Sequence, residues 1–203
     1  MCILCGTLPC ALGVPDDRSP DSATAPASTV TAASLSTEPT ALPTQSTWKG
    51  LLSGNTWSGG SVTYGFASGA SDYSGGSLYS SYNEPSQFLS FSGAGKNIIR
   101  AAFTAWGNVT QLAVTEAASG AHPDINVGGS TIPDTAWAYS PGTTDASGDI
   151  WFGLDKPYFP KLLSSSSPYI GGYEYATALH EIGHSLGLKH PHQGNVTVPA
   201  AYD

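Results

Sequence analysis

The sequence is poor in charge, and above all in positive charge. Only 11% of its 203 residues are charged, and seven lysines and arginines stand against fifteen acidic residues, which gives a net charge of −8. Nucleic acids and anionic membrane surfaces attract basic proteins, so a basic-poor surface is unsuited to either. We therefore expect no nucleic-acid partner and no anionic-membrane partner.

Long apolar runs are also missing. No stretch approaches the ~20 consecutive apolar residues that span a membrane, so we expect no transmembrane helix. Residues 1–17 are mildly apolar, but no positive charge precedes Arg18, which makes them a poor Sec-type signal peptide. The N-terminus is compatible with a cytoplasmic location or with export by another signal.

The few cysteines do not form a framework for the fold. There are three, an odd number, and all lie within the first ten residues, so disulfides that staple the domain are not indicated. Residues 16–46 are mainly Ser, Thr, Ala and Pro, which bury too little apolar surface to offset their ordering entropy. We expect residues 1–46 to be a disordered tail or prosegment, with no role assigned to Cys2, Cys5 and Cys10, and residues 47–203 to form one domain.

The periodicity downstream of Trp48 predicts a mixed α+β domain. Val62, Tyr64 and Phe66 alternate with polar or small residues, which indicates a strand at 61–67. Ser92 is placed to cap a helix over 94–107, whose apolar residues recur at helical spacing. Four further short strands are predicted, and a Gly/Ser/Tyr-rich loop precedes residue 90. These strands lie at 111–117, 124–129, 135–140 and 148–153.

Four of the five histidines lie in residues 180–192. The surrounding segment, 173–187, has a helical period with an apolar stripe that we expect to face the sheet. His180 and His184 are four residues apart, so they share one helix face away from that stripe. Two imidazoles one turn apart can bind one zinc ion at ~2.0–2.1 Å. The stripe consists of Tyr175, Leu179, Ile182 and Leu186.

The residues after the helix predict a third ligand and a catalytic role. Gly187 permits the left-handed turn that ends a helix, and His190 then becomes available to the same ion. Three protein ligands leave a fourth position for water, as in catalytic zinc sites. Glu181 is placed to take a proton from the attacking water and pass it to the leaving amine. Isolated His122 is expected to be an ordinary histidine, and His192 to lie near the site without ligating.

The complete pattern H-E-x-x-H-x-x-G-x-x-H resembles that of the metzincin metalloproteases, and Pro191 after the third histidine is similar to the serralysin family. Residues 51–66, 102–116 and 135–153 agree with this resemblance. It implies a secreted, monomeric bacterial zinc metalloendopeptidase that hydrolyses peptide bonds in proteins or peptides. It also implies an α+β metzincin fold, in which a twisted five-strand mixed sheet lies above an active-site helix.

The resemblance further implies a substrate-binding strand. In the serralysin family the edge strand lines the cleft and pairs with an extended substrate backbone, a mode of binding that free sheet edges generally allow. The corresponding residues here are Ala136, Trp137, Ala138 and Tyr139.

The chain departs from the family pattern downstream of the ligands. Metzincins carry a methionine-containing turn beneath the zinc, whereas the only methionine here is Met1. The calcium-binding repeats of full-length serralysins are absent too, so Ca²⁺ is expected only in a full-length protein. We therefore expect a catalytic domain that is incomplete at its C-terminus, truncated before the Met-turn, with the C-terminal subdomain missing.

Two alternatives stay open. In the first, the chain is a catalytically incomplete zinc-binding fragment or pseudo-protease, which the missing Met-turn favours and the intact Glu181 opposes. In the second, it belongs to the matrixin-like branch, because residues 9–16 loosely resemble the cysteine latency switch of matrix metalloproteinases. The arginine expected before Cys10 is missing, however, and Pro191 favours the serralysin branch.

Overall fold

The structure is a computed structural model that describes residues 49–73, 79, 82–118, 120–164 and 170–191. Within these ranges there are six strands and three α-helices. The strands are β1 (Ser61–Phe66), β2 (Phe88–Leu89), β3 (Ala113–Glu116), β4 (Ile125–Ser130), β5 (Ala136–Ala138) and β6 (Ile150–Gly153). The helices are α1 (Gly93–Gly107), α2 (Pro160–Leu163) and α3 (Tyr173–Ser185), and short 3₁₀ turns occupy Lys49–Leu51, Ala70–Asp72 and Glu84–Gln87.

The strands form one mixed sheet in the order β3-β1-β4-β6-β5. Strands β3, β1, β4 and β6 are parallel to one another, and β5 runs antiparallel to β6 at one edge. All five predicted strands are present, each within three residues of its predicted bounds. The expectation of five strands nevertheless missed β2, which pairs antiparallel with β4, because two residues are too few to show an alternation.

Helix α1 begins and packs as its sequence predicts. The Ser92 hydroxyl accepts a hydrogen bond from the backbone N–H of Gly95 at 2.9 Å, which caps the helix. Its apolar face is buried against the sheet, where the ring of Phe103 stacks on Tyr64 with centroids 3.8 Å apart. A Cβ on Gly95 would lie 2.3 Å from the carbonyl oxygen of Leu162, so glycine permits the close approach of α2.

Two hydrophobic clusters cover the two faces of the sheet. Neighbouring residues of β6 alternate between them: Ile150 and Phe152 belong to the larger cluster beneath α1 and α3, and Trp151 to the smaller one. The same alternation holds in β5, where Trp137 points into the smaller cluster. This period of two is that of a strand buried on both faces. The smaller cluster consists of Ala67, Tyr73, Tyr79, Trp137, Ala146 and Trp151.

Helix α3 differs from the prediction in the face that it buries. Of the predicted stripe only Ile182 is fully buried, and the other three residues are half-buried. The helix packs on α1 as well as on strands β5 and β6, which shifts its buried face toward Ala178, Glu181 and Ser185. In the part of the chain that the structure describes, no helix has the length and hydropathy to cross a membrane.

Candidate metal centre

Three histidines converge at the C-terminal end of α3. The Nε2 atom of His184 lies 3.1 Å from that of His180 and 3.1 Å from that of His190. The third side of this triangle, between the Nε2 atoms of His180 and His190, measures 2.9 Å. His180 and His184 reach the triangle from successive turns of the helix, and His190 reaches it from the segment that follows. The three side chains form a group that could hold a metal ion.

The tautomer of His184 is determined by its second ring nitrogen. Nδ1 lies 3.0 Å from the carbonyl oxygen of Leu188, and a carbonyl only accepts, so Nδ1–H is the donor. Nε2 of the neutral ring is then unprotonated and directs its lone pair at the centre of the triangle. Such a bond to the outer nitrogen is the usual way in which a protein orients a metal-binding histidine.

Burial keeps two of these rings neutral. It lowers the pKa of His180 to about 4, with a further contribution from nearby His184, because the charged form is poorly solvated there. The pKa of His184 is also lowered by burial, although its hydrogen bond to Leu188 acts in the opposite direction. At neutral pH both rings therefore offer an unprotonated nitrogen, the form in which histidine binds a metal.

The turn that brings His190 to the cluster depends on Gly187. This residue has a φ of +109°, in the left-handed region that side chains disfavour, and it follows the helix as predicted. A Cβ at this position would also lie 2.3 Å from the carbonyl oxygen of Asn55. Only glycine fits the turn without displacing the N-terminal segment.

The segment that precedes β1 braces this turn. Leu52 and Leu188 form an antiparallel bridge, and the N–H of Lys189 donates to the carbonyl of Leu51 at 2.7 Å. The Lys189 ammonium is buried and donates to the carbonyl of Gly50 at 2.7 Å. The position of the residue before His190 is thus determined by contacts with residues more than a hundred positions earlier in the chain.

Glu181 is buried beside the first histidine of the cluster. It is 2% exposed, and its Oε2 atom has no hydrogen-bond partner among the described residues. Burial raises the pKa of this carboxyl to about 8, because the charged form has lost its hydration. A buried carboxyl with an unpaired oxygen is costly unless a ligand or water completes it.

The strand predicted to bind substrate is the antiparallel edge β5. The N–H of Tyr139 donates to Asp149 and the carbonyl of Thr135 accepts from Gly153, so alternate residues of this segment face β6. The backbone groups of Ala136 and Ala138 therefore point to the outer edge, where β5 has no second strand neighbour in the described ranges. The side chains of Trp137 and Tyr139 lie on the face opposite α3.

The remaining candidates lie outside the cluster or outside the described residues. His122 is exposed and lines a cavity of about 360 Å³ with Asp72 and Pro123, so the structure does not bring it to the other histidines. His192 lies beyond the described residues, as do the tail 1–46 and its three cysteines.

Sequence reasoning missed the residues that support the site. The carbonyl of Leu188 and the carbonyls of Gly50 and Leu51 act through the backbone, which carries no compositional signal. The indole of Trp57, which donates to the carbonyl of Ser185 at 2.8 Å, was likewise not predicted. The only sequence signal for this contact was the presence of a tryptophan just upstream of the first strand. That signal does not identify the partner, which is 128 residues away.

Comparison with protein families identifies the kind of protein to which this chain is related. A family model described as Matrixin (Peptidase_M10) matches residues 79–203, well over half of the chain. The chain belongs to the matrixin family. The match includes the three clustered histidines and Glu181.

The curated relatives of this matrixin chain are serralysins and related metalloproteases. Metalloprotease AprA of Pseudomonas entomophila (strain L48) is 33% identical over 108 residues, which cover 51% of this chain and 21% of the relative. Serralysin G of Dickeya chrysanthemi is 30% identical over 112 residues, with 51% and 22% covered. Serralysin of Proteus mirabilis is 33% identical over 112 residues, with 47% and 22% covered.

These relatives confirm the resemblance to serralysin-type metzincins. The chain spans only about a fifth of the length of the relatives that it matches. The α+β sheet described above is compatible with the matrixin fold, and family and relatives together support a metalloprotease.

Proposed function

We propose that the chain is the zinc-binding part of a serralysin-like metalloendopeptidase, in which His180, His184 and His190 hold the ion and Glu181 is the general base. The observation that carries the proposal is the triangle of Nε2 atoms, with sides of 2.9, 3.1 and 3.1 Å. Three nitrogens at ~2.0–2.1 Å from one tetrahedral ion lie roughly 3.3 Å apart. The observed separations fit this arrangement after a small outward movement.

The donor set favours zinc. Three neutral imidazoles, one of them oriented by the Leu188 carbonyl, match the His₃ ligand set of known catalytic zinc sites. Calcium and magnesium prefer oxygen ligands, and the described cluster contains none. A structural zinc site has four protein ligands, so a three-histidine site is of the open, catalytic kind.

Zinc bound here would polarise the substrate carbonyl and make water a stronger nucleophile. The chain's own residues supply the rest of the chemistry. The positive charge of a bound zinc ion would lower the raised pKa of Glu181, and the ionised carboxylate would then accept the proton of the attacking water and return it to the leaving amine. Its burial, which leaves Oε2 unpaired among the described residues, keeps competing hydrogen bonds away from this carboxylate.

The substrate is an extended segment of protein or peptide that pairs with β5. The outward backbone groups of Ala136 and Ala138 would bind it as an additional strand. An Ala138→Pro variant removes one outward N–H and leaves the hydrogen bonds to β6 intact. Peptide specificity and KM that stay unchanged in this variant would contradict the use of β5.

The proposal extends to the organisation of the protein. Residues 47–203 form the protease domain, residues 1–46 a tail or prosegment, and the protein acts outside the cell as a monomer, as its resemblance to serralysins implies. The alternative is a zinc-binding fragment or pseudo-protease, which has the same metal site but does not hydrolyse peptide bonds. The carboxylate of Glu181 favours the protease, since a site that only binds zinc does not require it.

The experiment that tests the proposal measures cleavage of an unfolded protein by the zinc-loaded chain. We expect cleavage that stops in the presence of a chelator and falls by about 10²–10⁴-fold in Glu181→Ala, the range for loss of a general base. Glu174→Ala is the matched control, because Glu174 is a second buried carboxyl on α3. Zinc binding without cleavage would instead support the pseudo-protease.

A further inference from the structure

A second buried carboxylate lies behind the edge strand, away from the metal centre. Glu84 is 0% exposed although it lies in a short 3₁₀ turn, which leads directly into β2. Its Oε1 atom accepts hydrogen bonds from the indole N–H of Trp137 and from the hydroxyl of Tyr139, both at 2.9 Å. One carboxylate oxygen therefore binds two alternate side chains of the strand segment that ends the sheet.

The turn that carries Glu84 is itself attached to the sheet. The hydroxyl of Ser130, the last residue of β4, donates to the backbone carbonyl of Glu84 at 3.0 Å. Asn83 precedes the turn with a φ of 52°, a left-handed conformation that asparagine tolerates better than most residues. The carboxylate thus projects from an anchored backbone and links β4 to the outer strand.

Among the described residues, β5 is held by a short pairing with β6 and by its packing against α3. It has three residues, it pairs with a strand on one side, and on the face toward α3 it presents only the methyl groups of Ala136 and Ala138. The side chains of Trp137 and of Tyr139, the residue that follows β5, lie on the other face, and both are hydrogen-bonded to Glu84. On this face, the carboxylate of Glu84 therefore bonds both of these side chains at once.

If this position served packing alone, a carboxylate would be unfavourable for the stability of the fold. The Oε2 atom of Glu84 has no hydrogen-bond partner in the part of the chain that the structure describes, and burial raises the pKa of the group. A buried hydrogen-bonded group and its partners can be replaced together by apolar groups of the same shape with little loss of stability. What an apolar residue cannot supply is a directional link to two specific donors.

We propose that Glu84 is a positioning residue for substrate binding, whose carboxylate holds Trp137 and Tyr139 so that Ala136 and Ala138 present their outward backbone groups in register with an extended peptide. This inference rests on the proposed endopeptidase function. It assigns no chemical step to Glu84, which acts through β5 alone.

The test compares KM and kcat for an extended peptide cleaved by the zinc-loaded chain. Tyr139→Phe and Glu84→Leu are expected to raise KM about five- to tenfold, with kcat and zinc affinity within twofold of the wild type. Glu84→Gln keeps an oxygen that can accept from both donors, so its KM is expected to equal that of the wild type. The matched control is Thr63→Val, which removes another hydroxyl bound to a carboxylate, that of Asp124. Thr63 lies on β1, which is separated from β5 by β4 and β6, so this variant should leave KM unchanged.

Two results would overturn the proposal. One is a wild-type KM in Tyr139→Phe, which loses a single oxygen and folds even if Glu84→Leu does not. The other is an equal rise of KM in Thr63→Val, which would indicate a general loosening of the sheet.

If the wild type cleaves nothing, the endopeptidase function is refuted. The positioning role of Glu84 can then still be tested by amide hydrogen exchange. Faster exchange of the Trp137 and Tyr139 amides, which face β6, in Glu84→Leu than in Glu84→Gln would preserve its positioning role. Equal exchange rates in the two variants would overturn that role as well.

Discussion

The Nδ1 atom of His184 donates a hydrogen bond to the carbonyl oxygen of Leu188, four residues further along the chain, at 3.0 Å. This carbonyl belongs to the turn that delivers His190, so one bond orients one member of the cluster and closes the loop that carries another. The order of the metal centre is therefore coupled to the backbone between residues 186 and 190. Changes in that backbone are expected to weaken metal binding even where they touch no histidine.

Loss of His184 removes the central member of the cluster. We expect His184→Ala to bind zinc at least about 100-fold more weakly, because two imidazoles remain and the Leu188 carbonyl loses its donor. Competition with a chromophoric zinc chelator measures the affinity. His122→Ala, which removes an exposed histidine elsewhere, is the control. Zinc affinity in His184→Ala equal to that of the control would refute the ligand set.

A substitution at Gly187 tests the turn. Gly187→Ala forces a side chain into left-handed backbone and against the Asn55 carbonyl, and we expect it to destabilise the fold by about 2 kcal/mol or more and to weaken zinc binding. Gly171→Ala is the matched control, because Gly171 has a φ of +99° but no atom within 4 Å of an added Cβ. Denaturant unfolding of both variants would separate the clash from the backbone strain, and equal losses would contradict the contact with Asn55.

A substitution of the buried Lys189 tests whether its contacts with Gly50 and Leu51 support the metal site. Lys189→Met removes the bond to the Gly50 carbonyl, and we expect roughly tenfold weaker zinc binding because His190 is the next residue. In Lys156→Met, another lysine loses a bond to a distant backbone carbonyl, that of Thr131 at 3.0 Å. Zinc affinity should be unaffected there. The same affinity in both variants would show that the brace does not support the metal centre.

The raised pKa of Asp149 leads us to expect that the stability of the fold depends on pH. Burial raises its pKa to about 7 despite hydrogen bonds from Tyr79 and Asn126, which lower it. Below about pH 4 the carboxyl is protonated in both the folded and the unfolded chain. Between about pH 4 and 7 the unfolded chain has released this proton and the folded chain still holds it, so the free energy of unfolding falls as pH rises.

Asp149→Asn removes this titration. Relative to the wild type, its free energy of unfolding should increase between pH 5 and pH 8 by an amount on the order of 3 kcal/mol. Urea unfolding at four pH values measures the difference, with the exposed Asp155→Asn as control. A difference between Asp149→Asn and wild type that is constant over this range would show that Asp149 does not titrate there.

Local patterns in the sequence were enough to predict the strands, the two long helices and the grouping of the histidines. The spacing of His180, His184 and His190 predicted a convergence that the structure contains, and alternation or helical period located five strands and both long helices. Gly187 was expected to end its helix, and its positive φ agrees. These features depend on residues fewer than about fifteen positions apart.

Features that depend on distant partners were not predictable in this way. The buried face of α3 is set by α1 and the sheet, so the predicted stripe was only partly right. Glu84 lies in a loop rich in polar residues, and nothing in its neighbourhood indicates that Trp137 and Tyr139, more than fifty positions later, bury it. The brace from Leu51 to Lys189 acts through main-chain atoms, which any sequence possesses.

X-ray absorption at the zinc edge of the zinc-loaded chain would show whether three histidines hold one zinc ion. We expect three imidazole nitrogens at about 2.0–2.1 Å, one further light atom and no sulfur, with one imidazole lost in His190→Ala. Fewer than three imidazoles, or a sulfur shell at about 2.3 Å from any of the three cysteines, would contradict it.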